Sequence, residues 1–220
     1  MKWRRFLQRL RKQGLLSTLH KAWSDHVFRK MQFFVISWEF EDLEADASMT
    51  GGARFKRIET IADIPELGGW LAHRRSDFET MIERGSVGYV ALRDGKAVGC
   101  AWYAPTDVFE PSIGMTIRVL PGEAYVYGLL IDRAERRVGL GAKLAHMVMQ
   151  DMARSGIRRA FTYIERHNVK SFRIMMWLGM DEPQTMLKTF RLFGFTIYSR
   201  VVPATISRPE GYRTPRRFAA

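Results

Sequence analysis

The first residues of the chain carry an apolar stripe on a strongly basic background. Large apolar side chains recur at helical spacing across residues 3–23, and Arg and Lys dominate the positions between them, which predicts an amphipathic helix weakened at Gly14. The stripe consists of Trp3, Phe6, Leu7, Leu10, Leu15, Leu16, Leu19 and Trp23. Two interpretations fit: a helix lying on an anionic membrane surface, or a helix packed on its own domain with its charges in solvent.

The next stretches lead from this helix into the main body of the chain. Residues 27–40 are strongly apolar, and their periodicity fits either a strand or a buried continuation of the helix. Residues 41–53 are acidic and then Gly-rich, which is typical of a linker. The pattern then predicts a strand at residues 54–58 and a helix over 64–83, with a break near Gly68-Gly69.

A hairpin and a long connection follow in the pattern. Two apolar runs, residues 88–93 and 97–103, flank the dipeptide Asp94-Gly95. This dipeptide between apolar runs is the strongest short-range signal for a β-hairpin. Residues 105–121 contain three prolines, at both ends and in the middle, and are predicted to form a long irregular excursion.

The region with candidate chemistry is a continuous apolar run followed by a short loop and a helix. Residues 125–131 lack polar alternation, which predicts a strand covered on both faces. Gly128 inside the run predicts a bulge or the close approach of a ligand to the backbone. A helix with apolar residues at regular spacing then runs from the glycines at 139 and 141 to about Arg154, giving the order strand, helix, strand, helix, strand for the second half of the chain.

This strand–loop–helix arrangement has the properties of an anion site. The first amides of a helix lack internal partners, and the helix dipole adds partial positive charge there. Gly139 and Gly141 would let an anion approach the backbone, and Arg136, Arg137 and Lys143 add full charges. We therefore expect a phosphate or pyrophosphate guest; the alternative is that the glycines serve a tight turn alone.

The amino-acid composition limits the classes of binding partner and the cellular compartment that we expect. The chain has 35 Lys and Arg against 23 Asp and Glu, with the excess in residues 1–30 and at the C-terminal end, which favours anionic partners. Cys100 is the single cysteine, which rules out an intrachain disulfide and favours the cytoplasm. No stretch approaches the roughly 18 apolar residues of a spanning helix. No cluster has metal-ligand spacing, so we expect no metal.

Residues 131–141 resemble the cofactor signature of the GNAT superfamily of N-acyltransferases. That signature is a hydrophobic strand end, a short loop, then Arg or Gln, two residues, Gly, any residue, and Gly or Ala. Arg136, Gly139 and Gly141 stand at its positions. A second resemblance follows the next strand: Asn168, with Ser171 three residues later and the triplet Leu-Gly-Met at 178–180, is similar to the family's following motif.

The resemblance covers residues 54–201 and implies a fold. This is an α/β architecture with a mixed α+β sheet, the GNAT acyltransferase fold. We expect this domain at residues 51–205. It would follow a basic amphipathic helical extension and linker at residues 1–50 and precede a basic tail at 206–220.

The resemblance also implies an acyl-CoA site. Acetyl-CoA or another acyl-CoA would be the co-substrate, and backbone groups of residues 129–131 would pair with its pantetheine arm and polarise the thioester carbonyl. Amides of residues 138–142 would hold the pyrophosphate. Asn168 would contact the cofactor, although a helix N-cap is an alternative role. The implied cofactor residues are Leu129, Leu130, Ile131, Arg136, Arg137, Val138, Gly139, Leu140, Gly141, Ala142, Asn168 and Ser171.

The general acid departs from the family pattern. Many members carry Tyr seven residues after the motif Asn, to protonate the leaving thiolate. Met175 stands there, and a thioether cannot donate a proton. Tyr163 and Tyr127 are the substitutes, and the thiolate could also leave unassisted or through water.

The general base is chosen from the residues at strand ends. Glu165 ends the strand before Asn168, where parallel sheets place their ligands, and is the first candidate. Glu123 precedes the central strand and is the second. His167 and His146 are further candidates.

Several partners remain open for such an enzyme. The resemblance implies a primary amine acceptor: a small-molecule amine, an amino sugar or a protein amine. A second hypothesis is a long-chain N-acyltransferase at the membrane surface that uses acyl-CoA or acyl carrier protein, whose acidity would suit the basic chain. A third is a catalytically silent module for membrane or nucleic acid, although we do not expect nucleic acid. We place the protein in the cytoplasm, with peripheral contact to an anionic membrane through residues 1–30 as an addition to that location.

Overall fold

A mixed sheet of eight strands is the frame of the part of the chain that the computed structural model describes, residues 28–40, 54–193 and 195–212. The strands, in chain order, are β1 (Phe28–Glu39), β2 (Arg54–Ile58), β3 (Val87–Arg93), β4 (Lys96–Ala104), β5 (Val108–Glu110), β6 (Met115–Ile117), β7 (Glu123–Ile131), β8 (Arg159–Glu165), β9 (Thr185–Leu192) and β10 (Phe195–Pro203). The order in the sheet is β10-β9-β1-β8-β7-β4-β3-β2, and β5 and β6 form a separate hairpin. The predicted helix at residues 3–23 and the predicted linker at 41–53 lie outside the described residues.

Helices cover both faces of this sheet. They are α1 (Arg75–Glu83), α2 (Leu140–Arg154) and α3 (Val169–Trp177), with 3-10 segments at Ile61–Asp63, Gly69–Arg74 and Arg133–Val138. The α2 and α3 helices pack on one face, and α1 and the β5–β6 hairpin pack on the other. None of the described helices is long and apolar enough to cross a membrane.

The apolar stretch at residues 27–40 forms strand β1, so the strand interpretation is confirmed. It lies between β8 and β9 and runs antiparallel to both, with Phe33 opposite Glu165 on one side and opposite Leu187 on the other. A strand paired on both edges and covered on both faces needs apolar residues on both faces, which explains why the stretch lacks clear alternation. The sheet therefore includes residues that the sequence pattern assigned to the segment before the main domain.

The predicted hairpin between β3 and β4 is confirmed. Asp94 and Gly95 both adopt positive φ angles, 49° and 80°, as a two-residue turn of the primed type requires. The connection at residues 105–121 is less irregular than the sequence predicted, because it folds back on itself and pairs Val108 with Ile117.

The helix predicted over 64–83 is shorter than expected. Residues 64–68 are not helical, because Leu67 bridges Ala97 and the Gly68 amide donates to the Ala97 carbonyl at 3.0 Å. Gly69 then takes a positive φ of 54°, which an α-helix cannot accommodate. The α-helix proper begins at Arg75.

The α2 helix packs on the sheet through the face that its sequence periodicity predicted. Leu140, Leu144, Val148 and Met152 are each at most 2% exposed and contribute to the same core cluster as Phe34 of β1. Each such side chain stabilises the fold by about 2 kcal/mol relative to an exposed position.

A polar network also anchors α2 to the sheet. The Asp151 carboxylate accepts a hydrogen bond from the Tyr103 hydroxyl at 2.8 Å and from the Arg57 Nε at 3.0 Å. Burial is the main cause that raises the pKa of Tyr103, so its hydroxyl remains a donor at neutral pH. One carboxylate on α2 thereby links strands β2 and β4.

We predict that Asp151→Ala lowers the free energy of unfolding by about 2 kcal/mol, because it leaves a partly buried guanidinium and a hydroxyl without their acceptor. The control is Glu79→Ala, which removes a solvent-exposed ion pair with Arg75 on α1. That change should cost about 0.5 kcal/mol or less. Urea denaturation of both variants measures the difference, and equal midpoints would contradict the proposed anchoring role of Asp151.

Strand β4 carries the single cysteine in the interior. Cys100 is 1% exposed, and burial raises the pKa of its thiol to about 12. Its Sγ lies 3.7 Å from the Gly128 carbonyl oxygen of the neighbouring strand β7. A protonated, buried thiol is a poor nucleophile, so it fits the interpretation of Cys100 as a small apolar residue.

We predict that a thiol-specific chromogenic disulfide reagent modifies the folded protein about 100-fold more slowly than the unfolded protein, since the reaction must await local opening. A Cys100→Ala, Ser199→Cys variant, with its thiol at an exposed position of β10, should react at the unfolded rate. Rapid modification of the folded wild type would show that the β4–β7 region opens readily.

Candidate active site

The site is built on two parallel strands that separate. Strands β7 and β8 pair over residues 123–125 and 159–161 and then diverge. Beyond that point β7 pairs with β4 on its other edge, and β8 pairs with β1 on its other edge. The diverging halves leave backbone N–H and C=O groups facing a wedge, and such groups need hydrogen-bonding partners. An extended ligand can therefore enter the wedge as an added strand.

The predicted bulge at Gly128 is confirmed and lies at the open part of the wedge. The pairing between β4 and β7 shifts register between Cys100 and Trp102, and Gly128 has a φ of 63°. A Cβ atom on Gly128 would also approach Trp102 Cδ1 to 3.1 Å. The bulge reverses the alternation of β7, so that Leu129 packs toward α2 while Leu130 joins the cluster under α1.

The connection from β7 to α2 presents open backbone at the start of the helix. Gly139 takes a φ of 67° immediately before α2, and a Cβ atom there would meet no other atom within 4 Å. A Cβ on Gly141 would lie 3.3 Å from Ile174 Cδ1, so this glycine is more closely packed than Gly139. Leu140 is buried beneath them, and Ala142 follows in the first turn. The space, the amides and the helix dipole suit an anion.

The 3-10 segment of this connection is tied to the end of β7 by two hydrogen bonds. Asp132 Oδ1 accepts a hydrogen bond from the Ala134 amide at 3.0 Å, and Arg136 Nε donates to the Ile131 carbonyl at 3.1 Å. The Ile131 carbonyl is thus occupied by Arg136 within the protein. Arg137 and Val138 lie in the same segment.

A cleft of about 640 Å³ occupies the wedge. Seven of the residues that the sequence predicts for catalysis or cofactor binding line it: Tyr127, Leu129, Leu130, Tyr163, Glu165, Asn168 and Ser171. Residues of the glycine loop lie outside this lining, at the start of α2. The opposite wall comes from α1, from β1 and from the β5–β6 hairpin.

Asn168 caps the helix that follows the wedge. Its Oδ1 accepts a hydrogen bond from the Ser171 amide at 3.2 Å at the start of α3. The cap uses the oxygen, so the side-chain NH₂ remains a donor toward the cleft. Both roles considered for Asn168 are therefore compatible.

The two carboxylates chosen from strand ends lie in different places. Glu165 lines the cleft and pairs with Arg29 at 3.4 Å, with its side chain 43% exposed. Glu123 lies at the amino end of β7, where it pairs with Arg159 at 2.7 Å and lines a second cavity of about 590 Å³. The structure thus separates Glu123 from the cleft, because ligands in such sheets bind beyond the carboxyl ends of the strands. His146 and His167 do not line the cleft either.

Three tyrosines form one wall of the cleft. Tyr125 and Tyr127 stack with ring centroids 5.4 Å apart, and Tyr163 lies 5.7 Å from Tyr125. Burial raises the pKa of Tyr127 to about 12 and that of Tyr125 well above the usual value. Burial, and then the charge of Glu123, raise the pKa of Tyr163. All three hydroxyls are therefore protonated at neutral pH.

The hydroxyls differ in their hydrogen bonds. The Tyr127 hydroxyl donates to Ser86 Oγ at 2.7 Å. The Tyr163 hydroxyl makes no hydrogen bond to a described residue. Met175 is buried in the same cleft wall at 5% exposure.

Glu110 is a cleft residue that the sequence analysis did not identify. It is 8% exposed, at the end of β5, and its carboxylate accepts from the Ser112 amide at 2.9 Å and from the Tyr125 hydroxyl at 3.5 Å. Nothing in the proline-containing segment around it signalled burial. No group of three or more His, Cys, Asp or Glu among the described residues is arranged to hold a metal ion.

Comparisons with known proteins agree with this architecture. A family model described as the acetyltransferase (GNAT) family matches residues 55–180. The mycothiol acetyltransferase of Frankia alni is 32% identical over 125 residues, which make up 55% of this chain and 35% of that protein. The chain thus matches about a third of the length of this relative.

Solved structures with similar chains include two acetyltransferases. One, a GNAT-family protein from Novosphingobium aromaticivorans, is 18% identical with a TM-score of 0.49 and covers 74% of this chain and 65% of its own. The ribosomal-protein-S18-alanine N-acetyltransferase of Escherichia coli is 17% identical with a TM-score of 0.42, over 60% of this chain and 80% of its own. Because the family model spans more than half of the sequence and both motifs, the chain belongs to the GNAT acetyltransferase family.

Proposed function

We propose that the protein is an N-acetyltransferase that moves the acetyl group of acetyl-CoA to a primary amine by direct attack on the thioester. The observation that carries this proposal is the combination of the β7–β8 wedge with the open backbone at Gly139. The wedge would accept an extended, strand-like arm, and the open backbone at Gly139 would accept a pyrophosphate. A ligand in which such an arm is linked to a pyrophosphate would fill both. The family membership and the relative named mycothiol acetyltransferase favour a small-molecule amine as acceptor.

The backbone of the wedge would bind and polarise the thioester. Groups of Leu129 and Leu130 would pair with the pantetheine arm, and an amide there would donate to the thioester oxygen as negative charge develops on it. Such a preorganised donor in a water-poor cleft contributes a few kcal/mol to the rate. The amides at residues 138–142 would hold the pyrophosphate, with Arg136 and Arg137 beside them. The Asn168 amide group would orient the arm.

Two side chains of the cleft would transfer protons during the reaction, one to the leaving sulfur and one from the attacking amine. Tyr163 is the proposed acid, since its hydroxyl is protonated, lines the cleft and is unengaged among the described residues. It would donate its proton to the sulfur as the C–S bond breaks. Glu165 is the proposed acceptor of the amine proton, directly or through water, because it lines the cleft and reaches solvent.

We predict that Gly139→Asp weakens acetyl-CoA binding by about 100-fold, because the new carboxylate would stand where the pyrophosphate binds. The matched control is Gly156→Asp. Gly156 also has a positive φ, 76°, and also has no atom within 4 Å of a Cβ, but it lies after the other end of α2. Calorimetric titration with acetyl-CoA should show unchanged affinity for the control. Equal affinities of the two variants for acetyl-CoA would show that the pyrophosphate does not bind at the start of α2.

We predict that Tyr163→Phe lowers kcat by about 100-fold with little change in KM for acetyl-CoA, the size expected for the loss of a general acid. Tyr127→Phe is the comparison, because the Tyr127 hydroxyl is engaged with Ser86. Its kcat should fall by a much smaller factor. Steady-state release of the free thiol measures both rates. If Tyr127→Phe shows the greater loss, the acid is Tyr127; if neither is slow, the thiolate leaves without a protein acid.

A further inference from the structure

The β5–β6 hairpin places a buried carboxylate in the cleft without a cationic partner. Glu110 is 8% exposed, and it belongs to no ion pair among the described residues. Buried carboxylates are normally paired with a cation or densely hydrogen-bonded, because burial of an unpaired charge is costly. Among the described residues, the cations that hydrogen-bond to this hairpin, Arg84 and Arg191, donate to the carbonyls of Phe109 and Ser112 and do not form an ion pair with the Glu110 carboxylate.

The hydrogen bonds of Glu110 leave room for another donor. A carboxylate has about four lone-pair sites. The Ser112 amide donates to Oε1 at 2.9 Å, and the Tyr125 hydroxyl approaches Oε2 at 3.5 Å, which is the long limit of a hydrogen bond. The Oε2 atom is thus the weakly satisfied one.

The hairpin that carries Glu110 is attached to both sides of the cleft. Arg84, directly after α1, donates to the Phe109 carbonyl at 3.4 Å. On the other side, the Thr196 hydroxyl of β10 donates to the Ile113 carbonyl at 2.6 Å, and Arg191 of β9 donates to the Ser112 carbonyl at 2.9 Å. These bonds hold the carboxylate at a defined position, as binding of a small group requires.

The walls around Glu110 are apolar and aromatic. Met31 and Phe33 of β1, Val108 of the hairpin and Tyr125 line the cleft and belong to one cluster. The ring of Tyr127, which stacks on buried Tyr125 and is itself only partly buried, is aromatic surface that favours a cation or another ring nearby. The hydroxyls of both are engaged, one with Glu110 and one with Ser86.

We propose that Glu110 binds the ammonium group of the acetyl acceptor, and that the acceptor is a primary amine on an apolar, ring-bearing body. This inference rests on the proposed function, since it names the second substrate of the same cleft. An ammonium group supplies both the missing charge and the missing donor for Oε2. A sugar-like body fits less well beside Glu110, because the apolar side chains of Met31, Phe33 and Val108 offer its hydroxyls no hydrogen-bonding partner, and unsatisfied buried hydroxyls weaken binding.

The test separates the charge of the ligand from the charge of the residue. The probes are 2-phenylethylamine and its neutral analogue 2-phenylethanol, titrated calorimetrically into the protein with and without saturating coenzyme A. The wild type should bind the amine about 50-fold more tightly than the alcohol, the effect of one desolvated charge pair. In Glu110→Gln the two ligands should bind within about threefold of each other, because the pair has lost its charge.

Glu110→Gln preserves the shape of the site. The Gln oxygen can still accept from the Ser112 amide, and its NH₂ can donate to the Tyr125 hydroxyl oxygen. The control Glu123→Gln removes a carboxylate outside the cleft and should keep the wild-type preference. If Glu110→Gln does not fold, the titrations of the wild type still test the proposal, because equal affinities for 2-phenylethylamine and 2-phenylethanol would overturn it.

Other outcomes are equally decisive. A preference for the amine that survives in Glu110→Gln overturns the role of Glu110. Stronger binding of glucosamine than of 2-phenylethylamine overturns the ring-bearing acceptor. If the wild type does not bind coenzyme A, the proposed function is refuted instead. The titrations of amine and alcohol in the absence of coenzyme A would then still test the role of Glu110.

Discussion

The divergence of β7 from β8 governs the arrangement of every candidate group in the cleft. Parallel strands normally continue side by side, but here the pairing ends after residue 125 of β7. Each strand stays in the sheet because its other edge is paired, with β4 and β1 respectively. The bulge at Gly128 takes up the resulting change in alternation, and the positive φ of Gly128 and the neighbouring Trp102 ring both disfavour a side chain at that position. Backbone groups that would otherwise complete the ladder form the proposed binding surface.

The two faces of the wedge present different groups. On one face, α2 and α3 begin near the open end of the strands and present their N-termini, with Gly139 before α2 and Asn168 before α3. On the other face, the β5–β6 hairpin closes over the cleft and contributes Glu110 among aromatic rings. In the proposed function, a thioester lying in the wedge would be approached from the hairpin face by an amine, while the α2 face would hold the charged end of the donor. This division would keep the proposed site for the cation apart from the proposed site for the anion.

The sequence predicted the features that depend on local backbone preferences. The Asp94-Gly95 turn, the bulge at Gly128 and the apolar stripe of α2 follow from glycine conformation and helical spacing. Features set by long-range packing were not predictable. The early apolar stretch becomes a strand because β8 and β9 pair with both of its edges, and Glu110 is buried because a hairpin folds across the wedge. Glu123 and Glu165 look alike in the sequence, and the direction of the strands separates them.

The position of β1 has a consequence for the order in which the protein can assemble. Gln32 and Arg166 share a hydrogen bond although they are 134 residues apart in sequence. During synthesis, β1 therefore emerges long before β8 and β9, and both of its edges stay unpaired until those strands are made. An apolar strand with free edges is prone to pair with other chains, and long-range pairing of this kind folds slowly. Strand β1, which lies inside the finished sheet, is thus a segment that needs protection while the chain is being made.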